Sequence, residues 1–317
     1  NFLHIINSHT GRYSSYHPHV RNLAWILAAP SLLKFLPEFN QPLTVLDDDF
    51  WQQQYQAYLP RLQQLEDNPL ILEQFLEEHN NHRLGYYFEY LLLFWLQDNQ
   101  YHCFELIKHR ATLFKGKITI GELDYLVRNK ITGEIEHWEV AIKFYLGYPP
   151  LTDAYHWLGA NDNDSLGRKL HHLATKQFLA DQYQDYKINK RCLLVKGRLF
   201  YPSTAKNLLA RAHSPTVSCL SPNHLQGNWI MYQDFINSPE AAQLHWRHVA
   251  KDEWLADQQP FKQLPLANSQ HLPPLPTARA ELFLGFNAKL EEQARCFVCG
   301  VPRAIHLLAS THFGCAQ

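Results

Sequence analysis

Two neighbouring segments of the chain, GELDYLV and IEHWEVAIKF, alternate apolar and polar residues with the period of two that β-strands require. In the second segment one strand face collects bulky apolar residues: Trp138, Val140, Ile142 and Phe144. The opposite face carries Glu139 and Lys143, and the first segment places Asp124 opposite Tyr125 and Val127. We therefore expect two strands that turn one face toward a core and carry the chemistry on the other.

The link between these segments, NKITGE, contains Asn129 and Gly133, residues that suit a hairpin turn. A turn centred in this link places Asp124 directly across from Glu139, with their β-carbons ~4.5–5.5 Å apart. Two carboxylates this close repel unless a proton or a cation lies between them, and a hard divalent ion is the simplest remedy. A shift of one residue would separate the two side chains, so the pairing is a hypothesis about register.

A third carboxylate, Glu89, lies in the segment RLGYYFEYLLLFWL, which predicts a helix over residues 84–97. Nearly every neighbour of Glu89 is apolar, and an isolated buried charge would destabilise the fold. Either Glu89 has a partner inside the fold, or it lies on a narrow solvent-facing stripe of the helix. Burial arguments favour neither alternative.

The remaining patterns predict a mixed α/β protein. Apolar residues recur at helical spacing over residues 20–36, 50–78 and 165–183. Alternation typical of strands covers residues 101–146 and 191–202. Helical and strand patterns therefore alternate along the first two thirds of the chain, which is the order expected of an α/β fold.

Three regions are expected along the chain. Residues 1–78 form a helical N-terminal region packed on the core, residues 79–202 form the core, and residues 203–317 form a C-terminal extension of mixed α+β structure. A last pair of strands is expected near residues 281–300. With 317 residues, of which 46% are hydrophobic, the chain has enough apolar material for a sizeable core.

The composition also restricts the setting in which the protein works. The longest apolar run is interrupted by Glu89 and is shorter than the ~18–20 residues of a membrane span, so no transmembrane helix and no membrane partner are expected. The six cysteines lack the spacing of a disulfide framework, which favours a reducing, cytoplasmic setting. Because the first residue is Asn1 rather than methionine, a removed signal stays an open alternative.

The formal net charge of −1 excludes a generally basic nucleic-acid coat protein, but the charges are unevenly distributed. Residues 38–98 carry eleven acidic and two basic side chains, whereas residues 165–200 carry eight basic and two acidic ones. In the second region Lys169, His172 and Lys176 share one face of a predicted helix. Such a face can bind phosphates. The alternative is a solvated basic surface, which we favour for Lys176 and not for Lys169.

The order of these parts resembles the PD-(D/E)XK nuclease superfamily, which has a restriction-endonuclease-like fold. Its core is an α-β-β-β-α-β unit with a mixed sheet, an acid on the first helix, an aspartate at a strand end, and an acid and a lysine on the next strand. Five segments also look like the uncharacterised bacterial domain-of-unknown-function 1853 family: VRNLAWILAAPSLL, RLGYYFEYLLLFWL, GELDYLV, HWEVAIKFYLG and WLGANDNDSLGRKLHHLATKQ. This resemblance covers roughly residues 18–260.

The resemblance implies a Mg²⁺- or Mn²⁺-dependent phosphodiesterase that acts on nucleic acid, with DNA as the expected substrate. In that reading Glu89, Asp124 and Glu139 hold the metal ion, which polarises the scissile phosphate and activates a water molecule. Lys143 orients the water or neutralises the developing charge. The predicted nucleic-acid contacts come from four residues of the following helix: Lys169, His172, Lys176 and Gln177. Gln177 matches a polar residue that some related nucleases carry there.

One departure from the superfamily pattern concerns the lysine. It usually follows its acid by two residues, but here that position is Ala141, and Lys143 comes four residues after Glu139. The separation along the strand therefore grows from ~7 to ~14 Å, although both side chains stay on one face. A leaning side chain or a bulge can shorten this distance; otherwise the site is metal-binding but catalytically weak.

Two other functions remain open at this point. The first is a nucleic-acid-binding or scaffold protein that has the nuclease fold but no longer catalyses cleavage. In that case the displaced position of Lys143 reflects the loss of catalysis. The second takes the carboxylate pair as the acid and base of a glycoside hydrolase, with Trp138 and Trp157 available to stack on a sugar.

Overall fold

The computed structural model describes residues 17–79, 81, 83–160, 164–210, 216–257, 267–271 and 280–300. Six α-helices lie in these ranges: α1 (Pro18–Ala28), α2 (Asp48–Asp67), α3 (Leu70–His79), α4 (Leu84–Gln97), α5 (Leu166–His172) and α6 (Tyr232–Ile236). The bounds of α4 are those that the sequence predicts. A π-helix, Leu173–Gln177, directly continues α5.

The strands of the described residues follow the predicted β-segments and extend beyond them. In chain order they are β1 (Thr44–Val45), β2 (Phe104–Lys115), β3 (Ile118–Asn129), β4 (Ile135–Gly147), β5 (Trp157–Gly159), β6 (Gln182–Tyr183), β7 (Tyr186–Lys187), β8 (Lys190–Pro202), β9 (Leu225–Met231), β10 (His245–His248), β11 (Ala267–Asn268), β12 (Ala280–Phe286) and β13 (Glu292–Cys299).

Eleven of these strands form one mixed sheet, whose main path runs β11-β10-β12-β13-β9-β8-β4-β3-β2. Strands β2, β3 and β4 are antiparallel neighbours, while β8 lies parallel to both β4 and β9. The expected α/β class is confirmed. The C-terminal strands continue the same sheet, so the regions drawn along the sequence share one β-layer.

The pairing of β3 with β4 has the predicted register. Tyr125 lies opposite Trp138 and Arg128 lies opposite Ile135, which is the alignment that places Asp124 beside Glu139. The Asn129 side chain accepts hydrogen bonds from the backbone N–H groups of the turn at Ile131 and Thr132, at 3.0 and 3.3 Å. The turn residues therefore set the register, because a hairpin turn determines which residues face each other.

Helices cover both faces of the central strand β4. On one face α1, α2 and α4 pack against the predicted apolar set of β4, which lies in the largest hydrophobic cluster: Trp138, Val140, Ile142 and Phe144. On the other face α5 packs against Ala141 and Tyr145. The face expected to carry the chemistry is therefore largely enclosed, with Glu139 only 1% exposed.

Two predicted helices are shorter than their apolar patterns. The helix predicted over residues 20–36 ends at Ala28, because Pro30 restricts the residue before it to extended backbone. The helix predicted over residues 165–183 ends with the π-helix at Gln177. Its predicted start is confirmed, since the Ser165 hydroxyl accepts a hydrogen bond from the backbone N–H of Arg168 at 3.3 Å.

None of the helices in the described ranges is long and apolar enough to cross a membrane.

Candidate active site

The site begins with two carboxyl groups on adjacent strands, Asp124 of β3 and Glu139 of β4. The backbone N–H of Val140 donates to Asp124 Oδ2 at 2.9 Å, which fixes that side chain against β4. The charge of Glu139 lies close enough to Asp124 to raise the pKa of that carboxyl group. Two carboxylates this close repel unless a proton or a cation lies between them.

Burial makes this pair a weak acid. Burial, followed by the neighbouring charge of Glu139, raises the pKa of Asp124 to about 8. Burial also raises the pKa of Glu139, against the opposing effects of Lys169 and Gln177. The elevated pKa values of both carboxyl groups indicate that Lys169 does not fully balance the negative charge of the pair.

The third acid, Glu89 of α4, lies near the pair and has partners of its own. Its Oε2 atom is 3.9 Å from Arg110 Nη1 and 4.0 Å from His109 Nε2. Burial, followed by the charge of Asp124, raises the pKa of Glu89 to about 7, although Arg110 opposes the shift. Of the two alternatives for Glu89, the structure therefore shows the one with partners inside the fold.

A hydrogen bond between backbone and side chain holds α4 against the sheet at this point. The hydroxyl of Tyr125, a fully buried residue of β3, donates to the backbone carbonyl of Glu89 at 2.5 Å. Tyr125 thereby sets the height of the helix above the strand that carries Asp124.

Helix α5 and its π-helical extension supply two further groups. Lys169 Nζ lies 3.9 Å from Glu139 Oε1, and Gln177 Nε2 donates to the same oxygen at 2.5 Å. His172 is exposed. The wider π-turn brings Gln177 onto the face that Lys169 occupies, and such turns are frequent at functional sites. Lys176 is exposed.

Lys143 lies away from these acids. Its Nζ atom pairs with Asp164 Oδ2 at 2.5 Å, and the Tyr145 hydroxyl donates to the same oxygen at 3.0 Å. The four-residue separation from Glu139 is therefore not shortened by a bulge, and the lysine next to Glu139 is Lys169. Of the eight predicted site residues, the structure brings five together: Glu89, Asp124, Glu139, Lys169 and Gln177. His172 and Lys176 are exposed, and Lys143 is paired with Asp164.

Arg110 was not anticipated from the sequence. Its guanidinium lies 3.0 Å from Glu122 Oε1 and donates to the Tyr86 hydroxyl at 3.3 Å, in addition to its contact with Glu89. Its φ of 54° falls in the left-handed region, which few residues other than glycine adopt. No pattern in the sequence indicates it, because its contacts join strand β2 to helix α4 and to strand β3.

His137 is the second residue that was not assigned a role. It is fully buried, its Nε2 lies 3.7 Å from Glu139 Oε2, and among the described residues neither ring nitrogen makes a hydrogen bond. Burial lowers its pKa to about 4, so the ring is neutral near pH 7. Its position two residues before Glu139 already placed it on the same strand face.

The pair Asp124–Glu139 fits a hard divalent cation, because Mg²⁺ is commonly held by one or two carboxylates and keeps several water ligands. The raised pKa values of both carboxyl groups indicate that their negative charge is not fully balanced, as expected of a pair that binds a cation. Within the ranges that the structure describes, no group of three or more His, Cys, Asp or Glu side chains is arranged to hold a metal ion. The donor set is thus two carboxyl groups, with Glu89 as a near neighbour.

Comparison with known proteins identifies the family without describing an activity. No curated protein matches the chain, and no solved structure matches it. A family model described as a domain of unknown function (DUF1853) matches residues 21–298, which include the whole candidate site. The chain therefore belongs to the domain-of-unknown-function 1853 family.

Proposed function

We propose that this protein is a metal-dependent nuclease that cleaves phosphodiester bonds in DNA. The observation that carries the proposal is the Asp124–Glu139 carboxyl pair, in which Asp124 is partly buried, Glu139 is buried and lies against the ammonium group of Lys169, and both pKa values are raised. A cation held by two acids beside a lysine is a combination suited to the charge that develops on a phosphate.

The topology around the pair supports a PD-(D/E)XK core. The elements α4, β2, β3, β4, α5 and β8 follow one another as α-β-β-β-α-β, apart from short intervening elements. In the sheet they are ordered β2-β3-β4-β8, with β8 parallel to β4. The acids fall on the first helix and on the second and third strands of this unit, as the superfamily resemblance implies.

In the proposed mechanism each residue has a separate role. Asp124 and Glu139 hold the ion, and Glu89 adds negative charge beside them. Such an ion, when bound, polarises the phosphodiester and lowers the pKa of a water molecule. Gln177 fixes the Glu139 carboxyl group by its hydrogen bond, and Lys169 stabilises the charge on the phosphate. We assign the lysine role to Lys169 because Lys143 is paired with Asp164.

Metal binding is tested by thermal unfolding with increasing Mg²⁺ or Mn²⁺. A ligand that binds the native state alone stabilises it by ~2.7 kcal/mol at 100 times its Kd, which is a clear rise in Tm. We expect this rise in the wild type and its loss in Asp124→Asn and Glu139→Gln. If the Tm of the wild type does not change with either ion, the proposed metal site is contradicted.

Cleavage is tested on plasmid, single-stranded and branched DNA with Mn²⁺, using the two lysines as a matched pair. Lys169→Met should lower the rate by about 10²–10³-fold, the size typical of one lost charge-stabilising group. Lys143→Met should keep the rate within a few fold. The reverse ranking would return the catalytic role to Lys143 and contradict our assignment.

The second candidate is a nucleic-acid-binding protein without cleavage, and the displacement of Lys143 from the acids favours it. Its signature is binding that weakens steeply as salt rises, with no product formed. One observation speaks against the glycoside hydrolase alternative: Trp138 and Trp157 are fully buried and so unable to stack on a sugar.

A further inference from the structure

The distal half of the β2–β3 hairpin exposes large apolar side chains. Phe114 is 62% exposed, Ile118 70% and Ile120 61%. Strand β4 pairs with β3 only through Tyr125–Arg128, so within the described sheet the end of the hairpin has no strand beside it other than its own partner. Three bulky apolar residues at the end of a projecting hairpin form an exposed patch that calls for a binding partner.

The apolar residues lie on both faces of the hairpin end. Phe114 pairs with Thr119, and Ile118 pairs with residue 115. Directly paired residues share a face and consecutive residues alternate, so Phe114 and Ile118 point to opposite sides. Ile120 is the unpaired residue of the bulge between the pairs Leu113–Gly121 and Phe114–Thr119. A strand pair that rests on a core is apolar on one face only. The hairpin end is apolar on both faces, and we call its residues Phe114, Ile118 and Ile120 the wedge.

The charge of this segment matches a polyanion. From Lys108 to Gly121 the sequence KHRATLFKGKITIG contains no acidic residue and four Lys or Arg residues, of which Arg110 is paired with Glu122. Lys117 is exposed in the turn between the two strands. A protein groove that accepts apolar side chains does not require an excess of positive charge on its partner. A nucleic acid does, because its backbone carries one negative charge per ~1.7 Å of duplex.

The hairpin end is continuous with the candidate active site. Ile118 precedes Asp124 by six residues on β3, which corresponds to ~20 Å at ~3.3 Å per residue. Arg110 of the partner strand reaches Glu89 and Glu122 of the site. A nucleic acid bound at the acids therefore meets the apolar end about six base steps away, since one step of a duplex rises ~3.4 Å.

We propose that the end of the β2–β3 hairpin is a wedge that inserts its apolar side chains between bases at the end of a duplex. The substrate class is accordingly DNA with a junction between duplex and single strand. This inference rests on the proposed nuclease function for its link to cleavage. The insertion itself requires no catalysis, because apolar side chains unstack bases by packing against their faces.

The test measures binding and base unstacking without divalent ions, so its result is independent of cleavage. The probes are a forked duplex that carries the fluorescent base 2-aminopurine at the fork, and a blunt duplex with the same base at its centre. The variant is Phe114→Ser/Ile118→Ser/Ile120→Ser, whose positions are exposed and therefore tolerant. The control is Ile131→Ser, which removes an 81% exposed isoleucine from the β3–β4 turn.

For the wild type and the control we expect tighter binding to the fork than to the blunt duplex, with a rise in fluorescence at the fork on binding. The triple variant should lose ~10-fold in fork affinity and the fluorescence rise, while its blunt-duplex affinity changes less than twofold. Equal binding of both probes by the wild type, or a fluorescence rise that survives in the triple variant, would overturn the wedge.

Two further arms separate this inference from its rivals. Vesicles of anionic lipid that bind the wild type through these three residues, without any fluorescence change at the fork, would overturn it in favour of a membrane contact. If unstacking occurs but Mn²⁺ yields no cleavage, the wedge stands and the nuclease proposal fails. If cleavage occurs, the cut should fall about six nucleotides from the fork, and equal cleavage by the triple variant would contradict the wedge.

Discussion

At the scale of single residues, two ionisable groups lie where burial disfavours their charged forms. Asp124 is enclosed beside another acid, and Lys196 of β8 is fully buried, with its ammonium group donating to the backbone carbonyl of Ala29 and lying 4.7 Å from the centre of the Trp51 ring. Each costs folding free energy when charged, because burial removes the water that stabilises the charge.

Asp124→Asn should stabilise the protein at high pH in the absence of divalent ions. The pKa of Asp124 is raised to about 8 in the folded protein, so its favourable neutral form is lost as pH rises through that value. Asparagine keeps the shape and can accept from Val140 and donate to Glu139 without a charge. Urea unfolding at pH 5 and pH 9 should show a gain at pH 9 that exceeds the gain at pH 5 by ~1 kcal/mol or more, because the loss accumulates between the unfolded pKa of 3.8 and the folded value of about 8.

A gain of the same size at pH 5 would show that the aspartate is destabilising for a reason other than its charge. Addition of Mg²⁺ should reverse the ranking at pH 9, because the ion stabilises only the chain that keeps the carboxylate.

Lys196→Met should remove part of the pH dependence of stability. Burial lowers the pKa of Lys196 to about 7, so between about pH 7 and the unfolded value near 10.5 the unfolded chain binds the additional proton. This group therefore makes stability rise with pH in that window, by at most ~1.4 kcal/mol per unit. The free energy of unfolding is measured by urea at several pH values for the wild type and the variant, and their difference isolates the contribution of Lys196. A difference that does not change between pH 7 and pH 10 would contradict this prediction.

At the scale of elements, the β4–β8 pair holds the site together, because β4 carries Glu139 and β8 closes the core beside it. Gly197 of β8 has a φ of 145° and lies so close to β4 that an added Cβ would fall 1.7 Å from the backbone carbonyl oxygen of Lys143. Backbone contacts of this kind do not relax by side-chain movement, so the close approach requires glycine at this position.

Gly197→Ala should destabilise the protein by ~3 kcal/mol or more, since either β8 must move from β4 or the chain must unfold locally. The matched control is Gly121→Ala in β3, where the added Cβ meets only Leu113 Cδ1 at 3.7 Å, an ordinary contact. Thermal unfolding of both variants measures the difference. Similar melting temperatures would mean that the two strands do not approach as closely as described.

At the scale of the whole molecule, the single sheet joins the N-terminal, central and C-terminal regions. Strand β9 lies parallel to both β8 and β13, and Phe200 packs edge-on against Phe297 with ring centres 4.5 Å apart. The regions expected from the sequence are thus consecutive stretches of chain that share one β-layer, and their stabilities are coupled through it.

Removal of the chain after Pro202 should therefore prevent folding of the remainder. It would expose the edge of β8 and the apolar faces that β9 and β13 cover, and such edges aggregate. We expect the truncated chain to be insoluble, and the full chain to unfold in urea with coincident fluorescence and circular dichroism transitions. A soluble, cooperatively folded fragment would show that residues 203–317 form an independent unit.

Local patterns in the sequence determined the bounds of α4, the apolar face of β4, and the register of the β3–β4 hairpin. These features depend on spacing and turn chemistry within a few residues, so the sequence expresses them directly. The pairing of Asp124 with Glu139 follows from the same local information. The metal ion, the reaction and the substrate stay predictions.

Only the tertiary structure decided which lysine accompanies the acids and which other groups surround them. Lys169 reaches Glu139 because α5 packs across β4, Lys143 is held by Asp164, and Arg110, whose φ is positive, reaches Glu89 of α4. These contacts join residues that are far apart in sequence or that depend on an irregular backbone. Spacing along the chain carries no information about them, since packing between elements sets the distance at which side chains meet.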